Sequence, residues 1–350
     1  MKIEQIVFGP DPDVTLTAYL QDVGGEFAHV PKRPAILVLP GGGYHRCVEL
    51  EAEPVALAYL QAGFQAFVLR YSVGAISWPQ PLEDYERAMA LIRAKADEWN
   101  LYADKVAVIG FSAGGHLAAC AATAAKNKPN AAVLGYPVTN AATAKFCLDS
   151  APSVIEYVNP DTCPCFLFAT RTDQLVPIVN TIDFAKALEQ NGVAFESHIY
   201  AYGPHGFSTA DPGIIEPGTQ ITARAARWVQ DSIGWLRDTL GDFGAGELAK
   251  PQYSTHNHDD FEPYCSVDCT TGHLLKNEKA CAVLTSVIQT VREKMIEHYG
   301  KEVVEVAAPK GVTALGDGIT LRNALTFRKI PEAIIEELDQ QLREIPNIRS

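Results

Sequence analysis

No stretch of the 350 residues holds the roughly 18 consecutive apolar side chains that a membrane-spanning helix needs. The opening Met1-Lys2-Ile3-Glu4-Gln5 also lacks the apolar core of a secretory signal. These absences predict a cytoplasmic chain with no membrane partner. Positive charge is scarce: 29 Lys and Arg stand against 42 Asp and Glu, a formal net charge of -13. Polyanions would be repelled, so nucleic acid is not expected as a partner, and neutral or cationic substrates fit better. Eight cysteines, at Cys47, Cys120, Cys147, Cys163, Cys165, Cys265, Cys269 and Cys281, form no compact disulfide framework. Cys163-Pro164-Cys165 is not a C-x-x-C redox motif, so buried free thiols are expected. His256, His258, Cys265 and Cys269 match no zinc-binding spacing, and no metal or cofactor is expected.

What the chain does have is 47% apolar residues, arranged in short runs separated by helical patterns. Ala35–Leu39, Ala66–Leu69, Val106–Ile109, Ala131–Gly135 and Phe166–Ala169 read as buried strands, and Phe195–Tyr200 as a further strand. Glu53–Ala62, Leu82–Trp99, Ala113–Ala125, Ile178–Asn191 and Thr222–Leu240 read as helices, with Gly63 and Asn191-Gly192 as stops. The alternation predicts an α/β fold, a mostly parallel sheet with helices on both faces. Asp13–Leu20 alternates apolar and polar residues and reads as an antiparallel edge strand. After Leu240 the character changes to a Gly-rich and then polar stretch, so residues 1–242 form the expected catalytic domain and 243–262 a linker. Residues 263–350 then read as a small all-α domain. Its stripes at Val283, Leu284, Val287, Ile288, Val291 and Met295, and at Ile334, Ile335, Leu338, Leu342 and Ile345, must be buried somewhere. Burial on a second subunit would make a homo-oligomer through the tail.

Gly110-Phe111-Ser112-Ala113-Gly114 joins the apolar run Lys105–Ile109 to a small-residue helical stretch. A serine on a strand-to-helix turn flanked by glycines is a nucleophile elbow. A serine hydroxyl needs a base to take its proton and an acid to orient that base, and in such a sheet they follow in the order Asp or Glu, then His. Asp173 lies in the loop after Phe166–Ala169, and His205 in the Gly-flanked loop after Phe195–Tyr200. His116 and His198 compete less well, lying within a helix and a strand, and His45 lies in a glycine loop where it could touch substrate. Asp149 and Asp161 precede the strand and Asp183 falls in the next helix. An oxyanion needs N–H donors already in place. Leu39-Pro40-Gly41-Gly42-Gly43-Tyr44 supplies them, with Gly42, Gly43 and Ala113 as candidates. That loop has neither the Lys-Ser/Thr of a P-loop nor the spacing of a dinucleotide site.

Pro40–Tyr44, Arg70-Tyr71-Ser72, Gly110–Leu117, Thr172–Pro177 and Gly203–Phe207 together resemble the small α/β-hydrolase esterases known as acetyl-xylan or feruloyl/acetyl esterases. The likeness covers residues 30 to 240 with the motifs in order, Pro40 standing where many esterases have His. It implies an α/β-hydrolase fold and hydrolysis of small acyl esters, chiefly acetyl, on xylo- or other oligosaccharides through Ser112, His205 and Asp173. A general carboxylesterase, a formamidase or a peptidase would use the same triad. Residues 139–162 are too few for a large lipase-like lid, so the cleft should be open. Tyr44, Trp78 and Tyr136 are the aromatic candidates for stacking on substrate.

Overall fold

The computed structural model describes residues 1–8, 13–243, 250–251, 259, 263–299 and 318–347; His256, His258 and most of the expected linker lie outside this set. The described contacts divide into two compact units, Met1–Thr255 and His256–Ser350.

In the first unit the apolar runs pair into one eight-stranded sheet: β1 (Lys2–Val7), β2 (Thr15–Leu20), β3 (Arg33–Leu39), β4 (Gln65–Arg70), β5 (Leu101–Phe111), β6 (Ala131–Gly135), β7 (Cys165–Thr170) and β8 (Phe195–Tyr200). Their spatial order is β1-β2-β4-β3-β5-β6-β7-β8. From β4 to β8 all pairings are parallel, and β1 and β2 are antiparallel additions. This is the α/β-hydrolase fold. One expectation is corrected: β2 is not the edge, because β1 pairs along its outer side from Lys2 to Val7. The pattern hid this strand because four of its six residues, Lys2, Ile3, Gln5 and Val7, are exposed.

Successive side chains on a strand point to opposite faces, and β3 shows how both faces are used. Ala35, Leu37 and Leu39 pack into a core with α2 (Gln80–Ala94), α3 (Ser112–Ala124) and α5 (Val179–Gln190). Ile36 and Val38 pack into another with α1 (Glu53–Gln61) and α6 (Trp228–Leu240). A parallel sheet closed on both faces needs this continuous apolar reading of its central strands. It leaves the loops at the carboxyl ends of the strands as the accessible place for polar chemistry.

The β5–α3 turn is the tightest point. Ser112 has φ 53, in the left-handed region that costs an L-residue energy. A Cβ on Gly110 would sit 2.1 Å from the carbonyl oxygen of Gly114, and one on Gly114 would sit 2.2 Å from the carbonyl oxygen of Leu39. Both obstacles are backbone and cannot swing away.

The second unit has its own core of Cys265, Val267, Leu274, Leu284, Leu321, Leu338 and others. Helices Thr271–Leu275 and Leu321–Phe327 each begin at a threonine, Thr270 and Thr320, whose side chain accepts the N–H three residues on. The two cap residues also bridge one another. Ile335, Leu338, Leu342 and Ile345 of the expected stripe are buried within this unit, whereas the side chains of Val287, Ile288, Val291 and Met295 lie outside the described residues.

Gly114→Ala, and separately Gly110→Ala, should lower unfolding free energy by about 3 kcal/mol or more, at the upper end of overpacking costs. Denaturant titration followed by circular dichroism measures this, and a near-native midpoint would contradict the packing described.

Candidate active site

Ser112, Asp173 and His205 come from the ends of β5, β7 and β8, and the parallel register brings all three ends to one side. His205 Nε2 lies 2.8 Å from Ser112 Oγ, and His205 Nδ1 lies 2.7 Å from Asp173 Oδ2. The other Asp173 oxygen, Oδ1, accepts the N–H groups of Leu175 and Val176, each at 2.9 Å. With that carboxylate facing it, Nδ1 carries the imidazole proton, so Nε2 is left to accept the serine hydroxyl.

The rejected histidines have other partners. His116 is fully buried; Tyr44 donates its hydroxyl to Nδ1 at 2.7 Å, and Nε2 donates to the Pro152 carbonyl at 2.9 Å. His198 pairs with Glu196 at 2.6 Å. His45 lines the catalytic cleft beside Gly42 and Gly43.

That cleft, of about 530 Å³, is bounded by the glycine loop, Ser112 and His205, with an apolar wall of Val48, Phe146, Cys147, Leu175 and Val176. Ala113 stands in the first turn of α3, where N–H groups have no acceptor inside the helix. The Gly41 N–H is committed to Glu51 Oε2 at 2.8 Å, leaving Gly42 and Gly43 as the loop's candidates for an oxyanion. The loop is held from below by Tyr71, whose hydroxyl donates to the Pro40 carbonyl at 2.5 Å.

The family model BD-FAE matches residues 27–130. The crystal structure of MGS-M1, an alpha/beta hydrolase enzyme from a Medee basin deep-sea metagenome library, is 39% identical with a TM-score of 0.63, over 68% of this chain and 98% of that one. The chain belongs to the α/β-hydrolase family. The acetyl ester-xyloside bifunctional hydrolase of Caldicellulosiruptor lactoaceticus is 32% identical with a TM-score of 0.58, over 65% of this chain and 89% of that one. An acetylxylan esterase of Xylanibacter ruminicola is 30% identical over 51% of this chain and 42% of its own length. This chain spans less than half the length of the first curated relatives it matches.

Two aromatic residues of this α/β hydrolase expected to stack on substrate are buried instead. Tyr44 and Tyr136 are each 1% exposed, their hydroxyls engaged by His116 and Glu51. Trp78 is half-buried against the rings of Tyr44 and His116 and does not line the cleft. The aromatic side chain that does is Phe146, 75% exposed on α4 (Ala141–Cys147). A tyrosine next to a catalytic loop carries no sequence mark of whether its hydroxyl finds a buried acceptor. Among the described residues no group of three or more His, Cys, Asp or Glu could hold a metal ion, and His256 and His258 are not among them. No helix of the described residues is long and apolar enough to cross a membrane.

Sequence reasoning missed Glu51. It is 3% exposed, accepts the Tyr136 hydroxyl on Oε1 at 2.6 Å and the Gly41 N–H on Oε2, and lines the cleft. Tyr136 in turn accepts the Ser208 N–H at 3.0 Å, and its ring centroid lies 4.9 Å from that of His205. One carboxylate therefore links the glycine loop to the loop carrying His205. Burial pushes the Glu51 carboxyl above its ordinary range, opposed by the bonds from Tyr136 and Gly41 and by nearby His205. Nothing in the run Glu49, Glu51, Glu53 singles out the middle residue; only the fold does.

Glu51→Ala should reduce kcat on a small acetyl ester on the order of 10²-fold through misplacement of both loops, with Glu51→Gln recovering part by keeping the Gly41 bond. Steady-state kinetics on folded variants is the check, and unchanged turnover in Glu51→Ala would refute the link.

Burial pulls the His116 imidazole down from 6.5 to about 4. The unfolded chain takes up this proton below about pH 6.5 and the folded chain refuses it, so stability present above 6.5 is lost as pH falls toward 4. The loss from this one group is on the order of 3 kcal/mol. Urea melts at pH 7 and pH 4.5 should show a shallower pH slope in His116→Gln than in the parent; equal slopes would contradict the reading.

Proposed function

We propose that the chain is a serine carboxylic ester hydrolase that removes small acyl groups, acetyl foremost, from hydroxyls of xylo- or other oligosaccharides. The observation that carries this is the hydrogen-bonded line from Ser112 through His205 to Asp173, opening on a cleft edged by Gly42 and Gly43.

In the first half-reaction Ser112 Oγ attacks the ester carbonyl as His205 Nε2 takes its proton. Asp173 holds the imidazole and stabilises the imidazolium that forms. Charge on the carbonyl oxygen is met by the N–H of Ala113 and that of Gly42 or Gly43, donors fixed before the reaction begins. His205 then hands its proton to the departing alcohol, leaving an acyl ester on Ser112. In the second half-reaction water gives its proton to His205 and attacks that ester, and collapse returns the proton to Ser112 and frees the carboxylic acid.

Support for a carbohydrate alcohol comes from likeness to the acetylxylan esterase and the acetyl ester-xyloside hydrolase. An open cleft with the exposed ring of Phe146 at its wall suits a bulky sugar better than a long acyl chain.

Ser112→Ala and His205→Ala should each lower kcat about 10⁴ to 10⁶-fold, and Asp173→Asn somewhat less. A panel of acetylated xylo-oligosaccharides, feruloyl, aryl, longer-chain and formyl substrates tests the specificity. Acetylated oligosaccharides should give the highest kcat/KM, and preference for longer acyl or formyl substrates would replace this reading with a general carboxylesterase or a formamidase. Wild-type turnover in folded Ser112→Ala would end the mechanism.

A further inference from the structure

Beside the catalytic cleft lies a second cavity, of about 620 Å³, which shares His205 and Leu175 with it. Its size falls within the range of small-molecule sites. The rest of its wall is contributed by the Asp173 loop (Thr172, Gln174), the His205 loop (Tyr202) and the connection toward α6 (Thr219, Gln220). No Asp, Glu, Lys or Arg lines it, so a charged ligand would find no counter-ion. An apolar ligand would strip water from several polar groups and return no hydrogen bonds. Among the described residues no hydrogen-bond partner meets the Gln174 side-chain amide or the Tyr202 hydroxyl, and the Gln220 amide has only a long contact of 3.4 Å to the Gly218 carbonyl. The Tyr202 ring is 47% exposed. Neutral hydrogen-bonding groups beside an open aromatic face match a neutral polyhydroxyl compound.

The walls are built rather than loose. The Gly203 carbonyl accepts from Thr170 Oγ1 at 2.9 Å and Thr172 Oγ1 at 3.1 Å, and Thr222 closes a reciprocal pair of bonds with the Tyr202 backbone. A Cβ on Gly203 would meet Thr170 Cγ2 at 2.7 Å, so the two loops lie in direct contact. Position relative to the chemistry adds the rest. Gly42 and Gly43 border the other cavity, whereas His205, which must protonate the departing alcohol, borders both.

We propose that this second cavity is a sugar subsite for the leaving alcohol, taking a neutral glycosyl unit joined to the esterified sugar. The proposal rests on the carbohydrate-ester reading above.

The test compares the full-length protein with Tyr202→Ala and Gln220→Ala on acetylated xylotriose and on 4-nitrophenyl acetate, which has no sugar to fill the subsite. Each substitution should lower kcat/KM on acetylated xylotriose about tenfold, mainly through KM, relative to any change on the aryl ester. Binding of unacetylated xylotriose to Ser112→Ala, followed by calorimetry, should weaken by the same factor when Tyr202→Ala is added. Equal losses on both esters would reveal a structural role and overturn the subsite, as would undiminished turnover and binding of the oligosaccharide. If the parent hydrolyses 4-nitrophenyl acetate but neither binds xylotriose nor cleaves its acetyl ester, the carbohydrate reading fails and the subsite with it. That result in the parent is distinct from one that appears only in the variants.

Discussion

A methyl group on Gly114 would lie 2.2 Å from the carbonyl oxygen of Leu39 and 2.4 Å from that of Pro40, so helix α3 rests directly on the end of strand β3. This close approach sets the geometry of everything around it. It brings the first turn of α3, with its unsatisfied N–H groups, against the glycine loop that follows β3, so that donors from two separate segments can converge on one oxygen. It also holds Ser112 at φ 53, a conformation that packing must impose. The β3–β5–β6 parallel register fixes which segments meet there.

A site built from loops of five different connections needs something to hold the loops to one another, and here buried polar groups do so. Glu51 and Tyr136 span the cleft floor from Gly41 to Ser208, Tyr71 braces Pro40, and Asp173 uses one oxygen to shape its own loop while the other meets His205. Burying a carboxylate is costly unless its oxygens are satisfied. Glu51 fills both with strong donors. The arrangement ties the glycine loop and the His205 loop to a shared support.

The two cavities that meet at His205 differ in character. One has an apolar wall beside Ser112, and the other has no Asp, Glu, Lys or Arg and sets hydrogen-bonding side chains among apolar surface. An ester has an acyl half and an alcohol half, and hydrolysis of a sugar acetate calls for a small apolar site on one side of the scissile bond and hydroxyl-matching groups on the other. Of the Asp, Glu, Lys and Arg side chains only Arg46 and Glu51 line these walls, both on the cleft beside Ser112, and the Glu51 carboxylate is engaged through both oxygens by hydrogen bonds.

Much of this is legible in the sequence. Apolar runs of strand length between helical patterns specify a parallel sheet because a strand buried on both faces tolerates no polar side. Gly110 and Gly114 flanking Ser112 specify the elbow because only glycine permits that backbone approach. The order Ser112, Asp173, His205 follows because each sits just past a strand, and parallel strands present those ends together. What stayed hidden depends on partners distant in sequence. Strand β1 has no apolar alternation because four of its six residues are exposed. Tyr44 and Tyr136 looked like platforms until the fold placed His116 and Glu51 within reach of their hydroxyls. Glu51 is one of three alternating glutamates, and one of its buried partners is Tyr136, just past β6 and 85 residues away. Local chemistry determined which residues could react. The tertiary structure alone decided which polar groups lose water and must find each other, since desolvation is a property of the whole packed molecule and of no single segment.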